Sequence, residues 1–108
     1  MISFEKRDSC LEFLAATDAP LATAKAYMLG MEDQKYTILS TEQIESKHKA
    51  IGNKKADAYT TKAYFDWCKK HRDSVYDYEL LRNQRTTALL FIECWRSENS
   101  ARTKGLIL

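Results

Sequence analysis

Apolar side chains recur at helical intervals along most of this chain. The longest such run, Tyr64 to Trp95 (YFDWCKKHRDSVYDYELLRNQRTTALLFIECW), contains neither Gly nor Pro. Projected at about 100° per residue, Tyr64, Trp67, Cys68, His71, Val75, Tyr78, Leu81, Leu89, Ile92 and Trp95 gather on one broad face. Phe65, Tyr76, Leu80, Phe91 and Cys94 form a second, narrower stripe. A helix apolar on two sides packs on two sides, so the run predicts one continuous helix with more apolar surface than a single neighbour covers.

The rest of the chain is predicted to supply that neighbour. Ser3 caps a short first helix, residues 1–17, with Phe4, Cys10, Leu11, Phe13 and Leu14 at roughly helical spacing. Alone it is too short to be stable in water, and the second stripe of the long helix is its expected landing place. Asp18-Ala19-Pro20 is the clearest punctuation: Asp18 caps a second helix, and the only proline falls in its first turn, where the missing N–H costs nothing. This helix spans 18–51, with Gly30 read as a point of close helix approach in preference to a kink. Ile51-Gly52-Asn53-Lys54-Lys55 is the main turn signal. Thr60 or Thr61 then caps the long helix, 61–99, and a tail covers 100–108. The predicted fold is all-α, a single domain of a short helix followed by a long antiparallel helical hairpin. At ~1.5 Å per residue, a helix of about 35 residues is roughly 50 Å long, which makes the hairpin elongated.

Composition narrows the function classes. The 108 residues are 44% hydrophobic and 30% charged, a globular balance. Seventeen basic and fifteen acidic side chains leave a formal charge of +2, so any nucleic-acid-binding surface has to be local. Cys10, Cys68 and Cys94 are widely spaced and form no C-x-x-C pair, which reads as buried thiols in a reducing compartment. His48 and His71 have no ligand spacing with them, so neither a metal nor a cofactor is expected. No apolar run is long enough to span a membrane and the N-terminus lacks a secretion-signal pattern, so a cytoplasmic protein is expected.

The candidate contact residues are mostly arginines. Arg82, Arg85 and Arg96 fall within the angular range of the apolar face, where a guanidinium needs a partner. One reading pairs them with Glu32, Asp33 or Glu42 of the facing helix. A second has them line a groove for an acidic partner or phosphate, and a third lays their stems over the core edge. Trp95, Arg96, Asn99, Arg102 and Lys104 put an aromatic ring, an amide and cations at one helix end. That mixture suits base stacking and phosphate contact, and the cations equally suit the negative end of the helix dipole. Lys69, Lys70 and Arg72 read as a solvated face, His48 as exposed and His71 as a satisfied core histidine. Phosphate-loop, nucleophile-elbow and zinc-protease motifs are missing, and a slender hairpin offers few concave pockets, so catalysis is not expected.

Taken together, LATAKAYMLGMED, ADAYTTKAYFDW and DYELLRNQRTTALLFIECWRSENSARTKG resemble a group of short phage and prophage proteins. The resemblance runs from about Asp18 to Gly105, and its matching positions are Tyr64, Arg82, Arg85, Trp95, Arg96, Asn99 and Arg102. It implies a bacterial host cytoplasm and a setting near phage recombination and single-strand-binding functions. It implies nothing for the first helix or for Leu106-Ile107-Leu108.

Three functional classes follow. The first is a non-catalytic phage accessory protein that binds another protein, either in recombination or as an inhibitor of a host defence factor. The second is a nucleic-acid-binding accessory using the basic helix end. The third is a small enzyme or nucleotide-sequestering oligomer with a site between protomers. Incomplete coverage of the long helix points to a homo-oligomer, a dimer in the simplest case, with Phe65, Tyr76, Leu80 and Phe91 at its interface.

Overall fold

The computed structural model describes residues 1–47 and 50–105, apart from the side chain of Ile51. The described chain is all α and contains no strand: α1 spans Phe4–Glu45, α2 spans Ile51–Ala58 and α3 spans Lys62–Thr103. His48 and the Leu106-Ile107-Leu108 tail lie outside the described residues. No described helix is long and apolar enough to cross a membrane.

Local chemistry sets several of the helix ends. Ser3 Oγ accepts the Lys6 amide at 3.0 Å, and Thr61 Oγ1 accepts the Tyr64 amide at 3.2 Å, so both helices open on a hydroxyl cap. After α3, Gly105 takes φ 73°, a left-handed conformation that a side chain would disfavour.

The expected break at Asp18-Ala19-Pro20 does not occur. Helix α1 continues through Pro20, and what was expected to be two helices is one of 42 residues. An internal proline removes one backbone hydrogen bond and crowds the preceding turn, a cost of about 3 kcal/mol that packing elsewhere has to offset. Nor is Ile51-Gly52-Asn53-Lys54-Lys55 a turn, since all five residues lie in α2. Gly52 and Asn53 sit in its first turn, where they adopt ordinary helical φ. Gly30 lies within α1, and a methyl group built there meets nothing within 4 Å, so it is not a point of close approach.

The chain divides into two compact units, Met1–Ala22 with Glu79–Leu108, and Thr23–Tyr78. In the first, α1 and α3 run antiparallel: the Ile2 amide donates to Glu98 Oε2 at 2.8 Å, Phe4 meets Trp95, and Leu14 meets Arg85. Among the residues withdrawn from solvent here, one series alternates at spacings of three and four, Arg7, Cys10, Leu14, Thr17 and Leu21 on α1 and Leu81, Arg85, Ala88, Ile92, Trp95 and Asn99 on α3, with Phe13 and Phe91 flanking it. The second unit is also antiparallel, with Lys35 over Trp67 and Glu32 beside His71. A series with the same rhythm runs through Ala24, Met28, Met31, Lys35, Ile38 and Glu42, and Tyr64, Trp67, His71, Ser74 and Tyr78, with Leu39, Cys68 and Val75 withdrawn beside it.

Alternating threes and fours average 3.5 residues, the heptad spacing of a coiled-coil seam. A projection at 3.6 drifts by about 20° per heptad. That drift explains why Leu89, placed on the main face by the sequence pattern, is 49% exposed, while Ser74 and Ala88, which the pattern passes over, are buried.

Candidate functional site

Arg85 projects from α3 into the helix contact of the first unit, where its side chain is only 18% exposed. One guanidinium nitrogen donates to the Leu14 carbonyl and to Thr17 Oγ1, each at 2.7 Å, and another reaches Asp18 Oδ1 at 2.5 Å. The expected ion-pair role therefore holds for Arg85, with a different acid: the partner is Asp18 and not Glu32, Asp33 or Glu42. Three of the five guanidinium donors are thus used within the first unit. Thr17 Oγ1 in turn donates to the Phe13 carbonyl at 2.6 Å, which ties Arg85 into the turn just before Pro20.

The remaining contact candidates separate. Arg82 is exposed and pairs along its own helix with Glu79 at 3.5 Å. Trp95 lies in the first unit's seam, edge-on to Phe4 at 5.8 Å, with the Arg7 guanidinium 4.4 Å from the ring centre. Asn99 is half-buried, and its carbonyl accepts the Thr103 hydroxyl at 2.8 Å. The Arg102 guanidinium meets the Met1 thioether. Only Arg96 and Lys104 come together, around a shallow hollow with Ser97, Ser100 and Ala101.

The expected oligomer-interface residues divide between the two units. Phe65 and Tyr76, in the second, are 58% and 65% exposed; Leu80, in the first, is 42% exposed. Phe91 is half-buried with the Lys6 ammonium 4.5 Å above its ring. It forms one wall of an open groove of about 400 Å³ along one side of the first unit. Cys10 and Ala88, both small and buried, form its floor; Phe13 stands opposite, and Lys6, Ser9, Gln84 and Thr87 complete the rim. The N-terminal segment thus docks in the seam and leaves this groove beside it.

In the second unit an aromatic ladder runs from Tyr59 through Tyr64 and Trp67 to His71. Centroid separations along it are 5.0, 5.8 and 4.8 Å, and the last pair is nearly parallel at 9°. Trp67 Nε1 donates to the Met31 carbonyl at 2.6 Å. His71 is not the satisfied core histidine the sequence suggested. Its Nε2 is buried and finds no hydrogen-bond partner, and the Glu32 carboxylate stands 3.6 Å away. The Tyr64 phenol has its pKa raised above the ordinary 10.0, first by its hydrogen bond with the Cys68 side chain, then by burial, then by the nearby Cys68 and Tyr59. Of the three thiols only Cys10 is buried; Cys68 is half-buried and Cys94 exposed.

Sequence reasoning missed the Leu14, Thr17 and Asp18 cradle and the Lys6, Cys10 and Phe13 side of the groove. Reading the pattern at 3.5 residues per turn would have placed Cys10 and Thr17 opposite α3, although not their partners. Among the described residues no group of three His, Cys, Asp or Glu side chains is arranged to hold a metal ion. No family model, curated protein or solved structure matches the chain.

Proposed function

We propose that this is a non-catalytic phage accessory protein that works by binding another protein through the groove of the first unit. The supporting observation is the groove itself, with a small-residue floor between two aromatic walls and a rim of one ammonium, two hydroxyls and an amide. Such a site takes an apolar side chain from a partner and orients the partner's backbone through the polar rim. The resemblance to short phage and prophage proteins suggests a recombination protein or a host defence factor as that partner.

Thr87→Trp is the informative variant, because Thr87 is exposed at the rim and its replacement fills the groove without entering the seam. The tagged protein is expected to retain one discrete protein from phage-infected lysate after nuclease treatment and at high salt, and the variant is expected to lose it. Equal retention by the variant overturns the groove as the binding site.

A second reading has its own observation, the hollow bounded by Arg96, Lys104, Ser97 and Ser100, a combination that suits phosphate oxygens. On that reading the captured material is nucleic acid, and binding weakens steeply as salt rises.

A further inference from the structure

On α3 in the first unit, roughly 100° around the helix from the face that meets α1, a second set of residues repeats at alternating spacings of three and four. It comprises Glu79, Arg82, Thr86, Leu89, Glu93 and Arg96. This is again the rhythm of a coiled-coil seam, yet no described residue covers it. Arg82, Thr86, Glu93 and Arg96 are exposed, and Leu89 is 49% exposed. Glu79 and Arg82 pair only with each other, and Glu93 and Arg96 have no ion-pair partner among the described residues.

Read along the helix, the stripe runs acid, base, hydroxyl, leucine, acid, base. Laid antiparallel against a second copy of itself, Glu79 opposes Arg96, Arg82 opposes Glu93 and Thr86 opposes Leu89, and two-fold symmetry makes each pairing occur twice. Every charge on the stripe then meets its opposite. Sliding the copies by one heptad sets Glu93 against Leu89 and Arg96 against Thr86, which removes both ion pairs, and sliding by two keeps only one of the two kinds, Glu93 with Arg96 or Glu79 with Arg82, so the charges favour the first register. The centre is the uncharged stretch Thr86–Ile92, apolar on nearly every side from Ala88 onward, with Leu90 56% exposed and Leu11 of α1 48% exposed in the same unit. A stretch of that kind packs on more than one side. A polyanion fits the stripe poorly, because carboxylates interrupt its arginines.

We propose that two copies of this chain pair antiparallel through this stripe, forming an isologous dimer centred between Thr86 and Leu89. The interface differs from one built on Phe65, Tyr76, Leu80 and Phe91. It does not depend on the proposed groove, whose rim residue Thr87 is outside the stripe.

Sedimentation of the full chain across micromolar concentrations, with helix content followed by circular dichroism, tests the pairing. The wild type is expected to be a dimer. Arg82→Glu places an acid against Glu93 of the second copy at two symmetric positions and is expected to weaken dimerisation about tenfold or more. The double variant Arg82→Glu with Glu93→Arg restores opposite signs and is expected to recover the dimer. Leu89→Asp is expected to give a helical monomer. A monomeric wild type, an Arg82→Glu dimer of unchanged affinity, or a double variant no tighter than the single one would overturn the proposal.

Discussion

Arg85 and Asp18, 67 positions apart in the chain, meet at 2.5 Å, and the same guanidinium bonds the Leu14 carbonyl and the Thr17 hydroxyl. One side chain of α3 thus holds the turn of α1 that leads into Pro20. Arg85 lies at a seam position where leucine is common, and its donors satisfy groups that a leucine would leave alone. Arg85→Ala is expected to destabilise the protein by about 1–3 kcal/mol, the range for hydrogen bonds involving a charged group. Asp18→Asn, at a carboxylate 71% exposed, is expected to cost about 1 kcal/mol or less, because solvent screens that partner. Urea denaturation of the two variants checks the order; equal losses would contradict it.

Pro20 and Gly30 are both weak points inside one helix. Pro20 is exposed, so Pro20→Ala returns a backbone donor to α1 and is expected to raise stability by about 1–3 kcal/mol. A methyl at Gly30 meets no neighbour within 4 Å, and Gly30→Ala is expected to add up to about 1 kcal/mol. Thermal unfolding distinguishes these gains from the loss that a required kink at either position would produce.

His71 stacks on the flat face of Trp67, and its buried Nε2 has no hydrogen-bond partner, the nearest acid being Glu32 at 3.6 Å. His71→Phe keeps a ring on that face and removes the nitrogen together with its contact to the half-exposed Glu32, so a gain of at most about 1 kcal/mol is expected. His71→Ala deletes the stack as well and is expected to lose stability. If both variants lose stability equally in denaturant titrations, the nitrogen carries no penalty.

The raised pKa of Tyr64 gives the second unit a pH dependence with a defined sign. The folded state holds the phenolic proton more tightly than the unfolded chain. Its contribution is therefore fully present below about pH 10, the unfolded value, and is lost as pH rises through the folded value. Unfolding free energies measured across alkaline pH are expected to fall, and Tyr64→Phe is expected to flatten its share of that slope. Cys68→Ala removes the largest cause, and the Tyr64 phenol is then expected to ionise at lower pH in a spectrophotometric titration.

Helical identity was legible in the sequence wherever the deciding interaction is confined to one turn. The hydroxyls of Ser3 and Thr61 lie within reach of the amides they cap, and the uninterrupted Tyr64–Trp95 pattern has nothing local to break it, so those parts follow from the residues alone. Tertiary structure decided which weak local signals were overridden. Pro20 costs a few kcal/mol at most and lies beside the seam and the Arg85 cradle, so α1 runs on where a stop was expected, and Gly52 costs about 1 kcal/mol in a helix, too little to keep α2 from forming where a turn was expected. It also decided every partner across the seam. Whether Arg85 faces Asp18 or Glu32, and whether the Trp95 ring is open or engaged by Phe4 and Arg7, depends on the register between segments many residues apart. A one-turn slip barely changes the local energy of either helix, so register is carried only by the packed pair.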